Sequence, residues 1–247
     1  MPVMDEFKEE REALKHGTPK QKLTYFLDYY KWPTLAVVVG VILVITFVTQ
    51  IVTSKDTAFY AAFISGTELE PAARYNQAFA EYADINLSKN DTIFDSTMHI
   101  SAGSPDQITI ASSQRLMVYI ASSEIDVLVM DPPTMEHYAL TEIFHDLREF
   151  LTQEQLAAYS PYFYYVDQAI IDRQSEDKNY VYDGPKQDHR DPDTMENPIP
   201  VGIYLDNAAA LREAYYFNSS DIIIGFVVNS TRPEASLKYL DYLFGPE

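Results

Sequence analysis

Polar and apolar positions divide the chain into three regimes. Residues 32–54, WPTLAVVVGVILVITFVTQIVTS, are apolar and uncharged between Lys31 and Lys55. As a helix this run spans roughly 34 Å, enough to cross a hydrocarbon core of about 30 Å. Thr46, Thr49 and Gln50 are its polar positions, and a threonine hydroxyl can bond back to its own helix. The stretch before it is charged and helical in pattern. Residues 5–16 read as a short helix ended by Gly17, and Thr18-Pro19 as the cap and first position of a second. Leu23, Phe26, Leu27 and Tyr30 follow as an apolar stripe beside Lys20, Lys22 and Lys31. This predicts an amphipathic helix on a membrane surface, with Tyr29, Tyr30 and Trp32 as an aromatic belt.

After Lys55, strand and helix patterns alternate. Residues 58–64 are an apolar strand broken at Ser65-Gly66-Thr67, and 71–82 carry a helical face of Ala72, Tyr75, Phe79 and Tyr82. A strand is predicted over 92–100, a helix over 104–122 and a strand over 125–130, where IDVLVM suits burial on both faces. Asp131-Pro132-Pro133 stops that strand and opens a short helix. Helical pieces at 146–150 and 153–159, a strand over 162–171 and a polar excursion over 174–198 come next. The chain closes with strand 201–205, helix 208–215, strand 221–228 and helix 233–243. Strand-helix-strand-helix-strand predicts a mainly parallel sheet with flanking helices, an α/β domain. Three segments result: 1–32 inside, 33–54 as the transmembrane helix, and 55–247 as the extracytoplasmic domain.

Charge sets the orientation. Lys15, Lys20, Lys22 and Lys31 precede the span, and only Lys55 follows closely. By the positive-inside rule the N-terminus is cytoplasmic and the larger part is outside. The run is too long, and preceded by too much polar chain, for a cleaved leader, so an uncleaved signal-anchor is predicted. The chain has no cysteine. That excludes disulfides, thiolate catalysis, sulfur-ligated zinc and a lipidated cysteine, and it suits a bacterial cell surface. The net charge is −19, and the first 34 residues are balanced. The remainder therefore repels nucleic acid, and the partners left are the membrane, a small molecule or an envelope protein.

Candidate chemistry is sparse. Ligands of open α/β sheets sit beyond the carboxyl ends of the strands, which selects Ser65, Gly66, Ser101, Gly103, Ser104 and Asp131. Ser101 to Ser104 before a helix could offer backbone N–H groups to an anion. Asp131 with Glu136 or Asp167 is the carboxylate pair to weigh as acid and base. Asp191, Asp193 and Glu196 hint at calcium, without the turn glycine of a helix-loop-helix site. His99, His137, His145 and His189 lack zinc-site spacing. No metal, cofactor or enzymatic activity is expected, since the sequence holds no nucleophile or phosphate-loop motif.

The run SSEIDVLVMDPPTMEHYA, then HDLREFL, resembles a stretch of the extracellular solute-binding proteins of bacterial ABC transporters. The closing PVGIYLDN and DIIIGFVVNSTRPEASLKYLDYLFG are similar to the end of such proteins. The resemblance implies a type II periplasmic-binding-protein-like fold and a binding module working with an ABC-type permease. The chain departs from that family in two ways. Only residues 141–200 separate Leu140 from Val201, too few for a second lobe, and the anchor is a transmembrane helix. A single, reduced lobe is therefore expected. The other function consistent with these residues is a non-enzymatic structural or adaptor protein on the same scaffold.

Overall fold

The computed structural model describes residues 18–20, 23–24, 31–53, 55–103 and 106–245. The predicted helix over 5–16, the stripe residues Phe26, Leu27 and Tyr30, Tyr29 of the belt and Ser104 lie outside these. The chain divides into two units, Met1–Ser54 and Lys55–Glu247.

In the first unit, Pro19, Lys20, Leu23 and Thr24 are helical, and helix α1 runs over Lys31–Thr53. Residues 31–49 of α1 have a mean hydropathy of 2.3 and are unburied, so by length and composition α1 can cross a membrane. Its apolar residues surround the axis, the distribution that suits lipid on every side. Thr46 Oγ1 donates to Ile42 O at 2.8 Å and Thr49 Oγ1 to Ile45 O at 2.9 Å. The predicted return of these hydroxyls to their own helix is what the geometry shows.

In the second unit, β1 (Asp56–Phe63), β2 (Gly66–Glu68), α2 (Ala72–Tyr82), β3 (Asn90–Asp95), α3 (Gln107–Ala121), β4 (Val127–Met130) and α4 (Pro132–Ala139) follow in order. Then come α5 (Leu147–Phe150), α6 (Gln153–Tyr159), β5 (Phe163–Asp167), α7 (Gln168–Glu176), β6 (Pro198–Tyr204), α8 (Ala209–Ala214), β7 (Tyr215–Phe217), β8 (Ile223–Phe226) and α9 (Pro233–Phe244). Six strands form one sheet in the order β3-β1-β4-β8-β6-β5. β1 pairs parallel with β3 and β4, while β8, β6 and β5 join by antiparallel pairs. Four strands therefore run one way and β8 and β5 the other. The sheet is mixed, with the parallel part confined to its first half.

Alternation along β1 builds both layers. Phe59, Ala61 and Phe63 join one core with α2, α8 and α9; Tyr60, Ala62 and Ile64 join the other with α3 and α4. Val127 to Met130 are fully buried, as a strand covered on both faces requires. Phe59 stands at the centre of an aromatic cluster, 4.8 Å from Phe79, 4.9 Å from Tyr239 and 5.7 Å from Phe94 between ring centroids. Gly202 in β6 lets α4 approach the sheet: a Cβ there would stand 2.7 Å from both Met135 Cε and Ile223 Cγ2.

Several boundaries depart from the sequence pattern. The strand predicted over 162–171 stops at Asp167, whose carboxylate accepts from Ala169 N and caps α7. Ala169, Ile170 and Ile171 are helical, and their apolar run served the core equally well in either state. The strand predicted over 92–100 stops at Asp95, and 96–100 continue as irregular chain. The predicted break at 65–67 is a turn at Ile64 and Ser65, followed at Gly66 by β2, which pairs antiparallel with β7, and β7 takes the end of the helix predicted over 208–215. Three-residue strands carry too short an alternation to be read from sequence.

Buried carboxylates tie the layers together. Asp126 is fully buried, accepts from Tyr60 N and Ser230 Oγ, and meets Arg232 Nε at 2.9 Å. Asp95 accepts from Thr97 N, Thr97 Oγ1, Tyr60 Oη and Arg115 Nη2. Asp167 accepts from Ala169 N, Glu196 N, Asn197 N and Gln187 Nε2, so it pins both ends of 187–197. Burial pushes the Asp95 and Asp167 carboxyls up, but the donors around each outweigh it and hold both below the usual carboxylate range. A folded-state pKa below the unfolded one stabilises above the unfolded value, about pH 4, and that contribution fades as pH falls through the folded value. Asp167→Asn is expected to cost about 2 kcal/mol, because a neutral amide cannot hold four donors. It should flatten the loss of thermal stability below about pH 4 and speed protease cleavage within 177–191. Unchanged cleavage would show that Asp167 does not hold the excursion.

Candidate functional site

β1, β3 and β4 point the same way, so the segments after them meet at one end of the sheet. A cleft of about 320 Å³ opens there, lined by Ser65 and Ile64 after β1, by 100–103, by Asp131 and Pro133 at the start of α4, by Phe217 at the end of β7 and by Asn218 and Ser219 after it. Ser65, Ser101, Gly103 and Asp131 thus lie together. Gly66 is set back in β2 against Phe217, where a Cβ would meet the Phe217 ring at 3.2 Å. Ser104 lies outside the described residues. Phe217, Asn218 and Ser219 are cleft residues that the sequence reading missed. Their signal was the aromatic-polar switch YYFNSS after a helix, which only the β2–β7 pairing turns toward this end.

Ser65 builds the floor. Its φ of 56° is left-handed, a conformation that costs a non-glycine residue roughly 1–2 kcal/mol. Its N–H donates to Met98 O at 2.8 Å; its hydroxyl donates to Ile100 O at 2.9 Å and accepts from Ile100 N at 3.0 Å. These bonds offset the strain and fix 98–100 beside β1. Ser112 Oγ accepts from His99 N and Thr109 Oγ1 from Ser101 N, so α3 holds the same segment from the other side. The hydroxyl of Ser65 therefore positions the rim.

The helix starts at this end are already occupied. The helix predicted over 104–122 is described from Gln107 as α3, capped by Asp106, whose carboxylate accepts from Thr109 N at 2.7 Å. That bond holds the Asp106 carboxyl below its usual range. At α4, Asp131 Oδ1 accepts from Thr134 N at 3.1 Å and Asp131 O from Met135 N at 2.9 Å. Pro132 and Pro133 have no N–H to offer. Thr109 N, Thr134 N and Met135 N are thus not open to an anion. Among the described residues that line the cleft, Asp131 alone is charged. Arg212, from α8, is not among the lining residues and donates to the carbonyls of Ser219 and Ser220.

The remaining candidates lie apart from the cleft. Asp131 and Asp167 stand at opposite ends of the sheet, because β5 runs opposite to β4, so they form no acid-base pair. Asp191 accepts from Asp193 N within its own turn, and Glu196 pairs with Arg173. No cluster able to hold a metal occurs among the described residues. His189 stacks on Tyr164 at 4.5 Å and its Nδ1 lies 2.8 Å from Tyr165 O, closing the excursion over the β5 edge. His145 stacks on Phe150, and burial pushes its pKa down. A second cavity of about 250 Å³ lies under the excursion, between Glu136, Ile170 and Tyr182.

No protein-family model, no curated protein and no solved structure matches the chain.

Proposed function

We propose that the chain is a single-pass, membrane-anchored binding module of a bacterial envelope. In this reading α1 is the signal-anchor, the N-terminus is cytoplasmic and 55–247 face outward as one reduced solute-binding lobe. The module captures or senses a small molecule and works beside an ABC-type transporter. The observation that carries the reading is the cleft, where Ser65, Ser101, Gly103 and Asp131 converge from three separate segments beyond parallel strand ends. Apolar walls with a few polar groups are the usual makeup of a ligand site. The test is thermal unfolding of the full chain in detergent against sugars, peptides, amino acids and divalent cations. A ligand of the folded state must raise the midpoint, and a flat response across the panel would remove small-molecule capture.

One observation favours the adaptor reading. The outer face of α3 exposes Ile108, Ile110, Met117 and Val118, with Arg115 as its one charged side chain. Exposed apolar faces of this kind serve protein contacts. Photo-crosslinkers placed at Ile110 and Val118 in the native membrane would trap such a partner. A specific adduct together with a flat ligand panel would favour the adaptor over the capture module.

A further inference from the structure

We infer that the cleft selects a small organic cation, an ammonium ion on an apolar body; this rests on the ligand-capture reading above. Three observations point the same way. Asp131 is the one charged side chain among the described lining residues, and no lysine, arginine or histidine joins it. At the two helix starts the donors an anion would use are reduced: Pro132 and Pro133 have none, and Thr134 N, Met135 N and Thr109 N bond to Asp131 and Asp106. The walls include Ile64, Ile100, Pro133 and Phe217, which suit the carbon body of an amine. The field of a unit that carries the chain's entire −19 raises the local concentration of cations further. The half-charge of the α4 N-terminus opposes a cation, but it is smaller than the full charge of the carboxylate that caps it.

Asp131→Asn is the informative variant. Asparagine caps a helix as well as aspartate, so α4 keeps its start while the charge is removed. The experiment is calorimetric titration of the detergent-solubilised full chain with butylammonium, putrescine and tetramethylammonium, and with glucose and glutamate for comparison. The expected result is saturable binding of at least one ammonium probe, weakened tenfold or more in the Asp131→Asn protein. Binding of glucose or glutamate without the ammonium probes would overturn the cation assignment and leave the capture module standing. Ammonium binding that survives Asp131→Asn would also overturn it, by placing the cation elsewhere on the acidic surface. Silence from every probe here, joined to a flat panel above, would remove capture itself.

Discussion

Asp126→Ala is expected to lower stability by about 3–5 kcal/mol, the usual consequence of removing one member of a buried ion pair. Asp126 is wholly buried and meets Arg232 Nε with both oxygens, at 3.0 and 2.9 Å. It also accepts from Tyr60 N at 2.8 Å and from Ser230 Oγ at 2.5 Å. The carboxylate therefore joins β1, the start of β4 and the turn that launches α9. Truncation leaves the guanidinium, an amide and a hydroxyl without their acceptor in one place. For a unit of this size the midpoint should fall by roughly 10 °C. Denaturant titration checks this, with Asp126→Asn expected to recover part of the loss by serving Tyr60 N. A change below about 1 kcal/mol, within the range of an ordinary surface pair, would mean that the network contributes no more than such a pair.

Phe59→Ala should cost a similar 3–5 kcal/mol for a different reason. The ring has no solvent exposure and touches three other rings drawn from α2, β3 and α9. Those neighbours belong to a neighbouring strand and to two helices packed on the sheet, so they cannot collapse into the space. Phe59→Leu keeps most of the volume and should cost less than about 1.5 kcal/mol. A pair of variants with equal losses would show that the site relaxes freely and that ring packing contributes little.

Much of this architecture was legible one residue at a time. The charge-free stretch 32–54 marks α1 because nothing in it needs water. IDVLVM marks β4 because neither face of that strand meets solvent. Asp131-Pro132-Pro133 marks its end, since proline cannot continue a ladder and suits a helix start. The rule that ligands sit beyond parallel strand ends placed Ser65, Ser101, Gly103 and Asp131, which do line one cleft. Ile170 and Ile171 misled because their apolar pattern fits strand or helix, and the choice fell to Asp167. That carboxylate finds partners at Glu196 and Asn197, far along the chain, which no local window contains.

Sequence alone determined the elements whose cause is local: the apolar length of α1, the period-two faces of β1, the proline stop before α4 and the acidity of everything downstream. Tertiary structure decided what depends on distant partners. It reversed β8 and β5 within the sheet, because antiparallel pairing is fixed by the strands that meet rather than by either strand's own pattern. It brought Phe217 to Ser219 to the cleft through the β2–β7 pair. It also bonded Thr109 N, Thr134 N and Met135 N to Asp106 and Asp131, and left Asp131 as the charged group among the described lining residues. Which charge a site accepts is settled by the groups already bonded to one another, and those bonds exist only once the chain has folded.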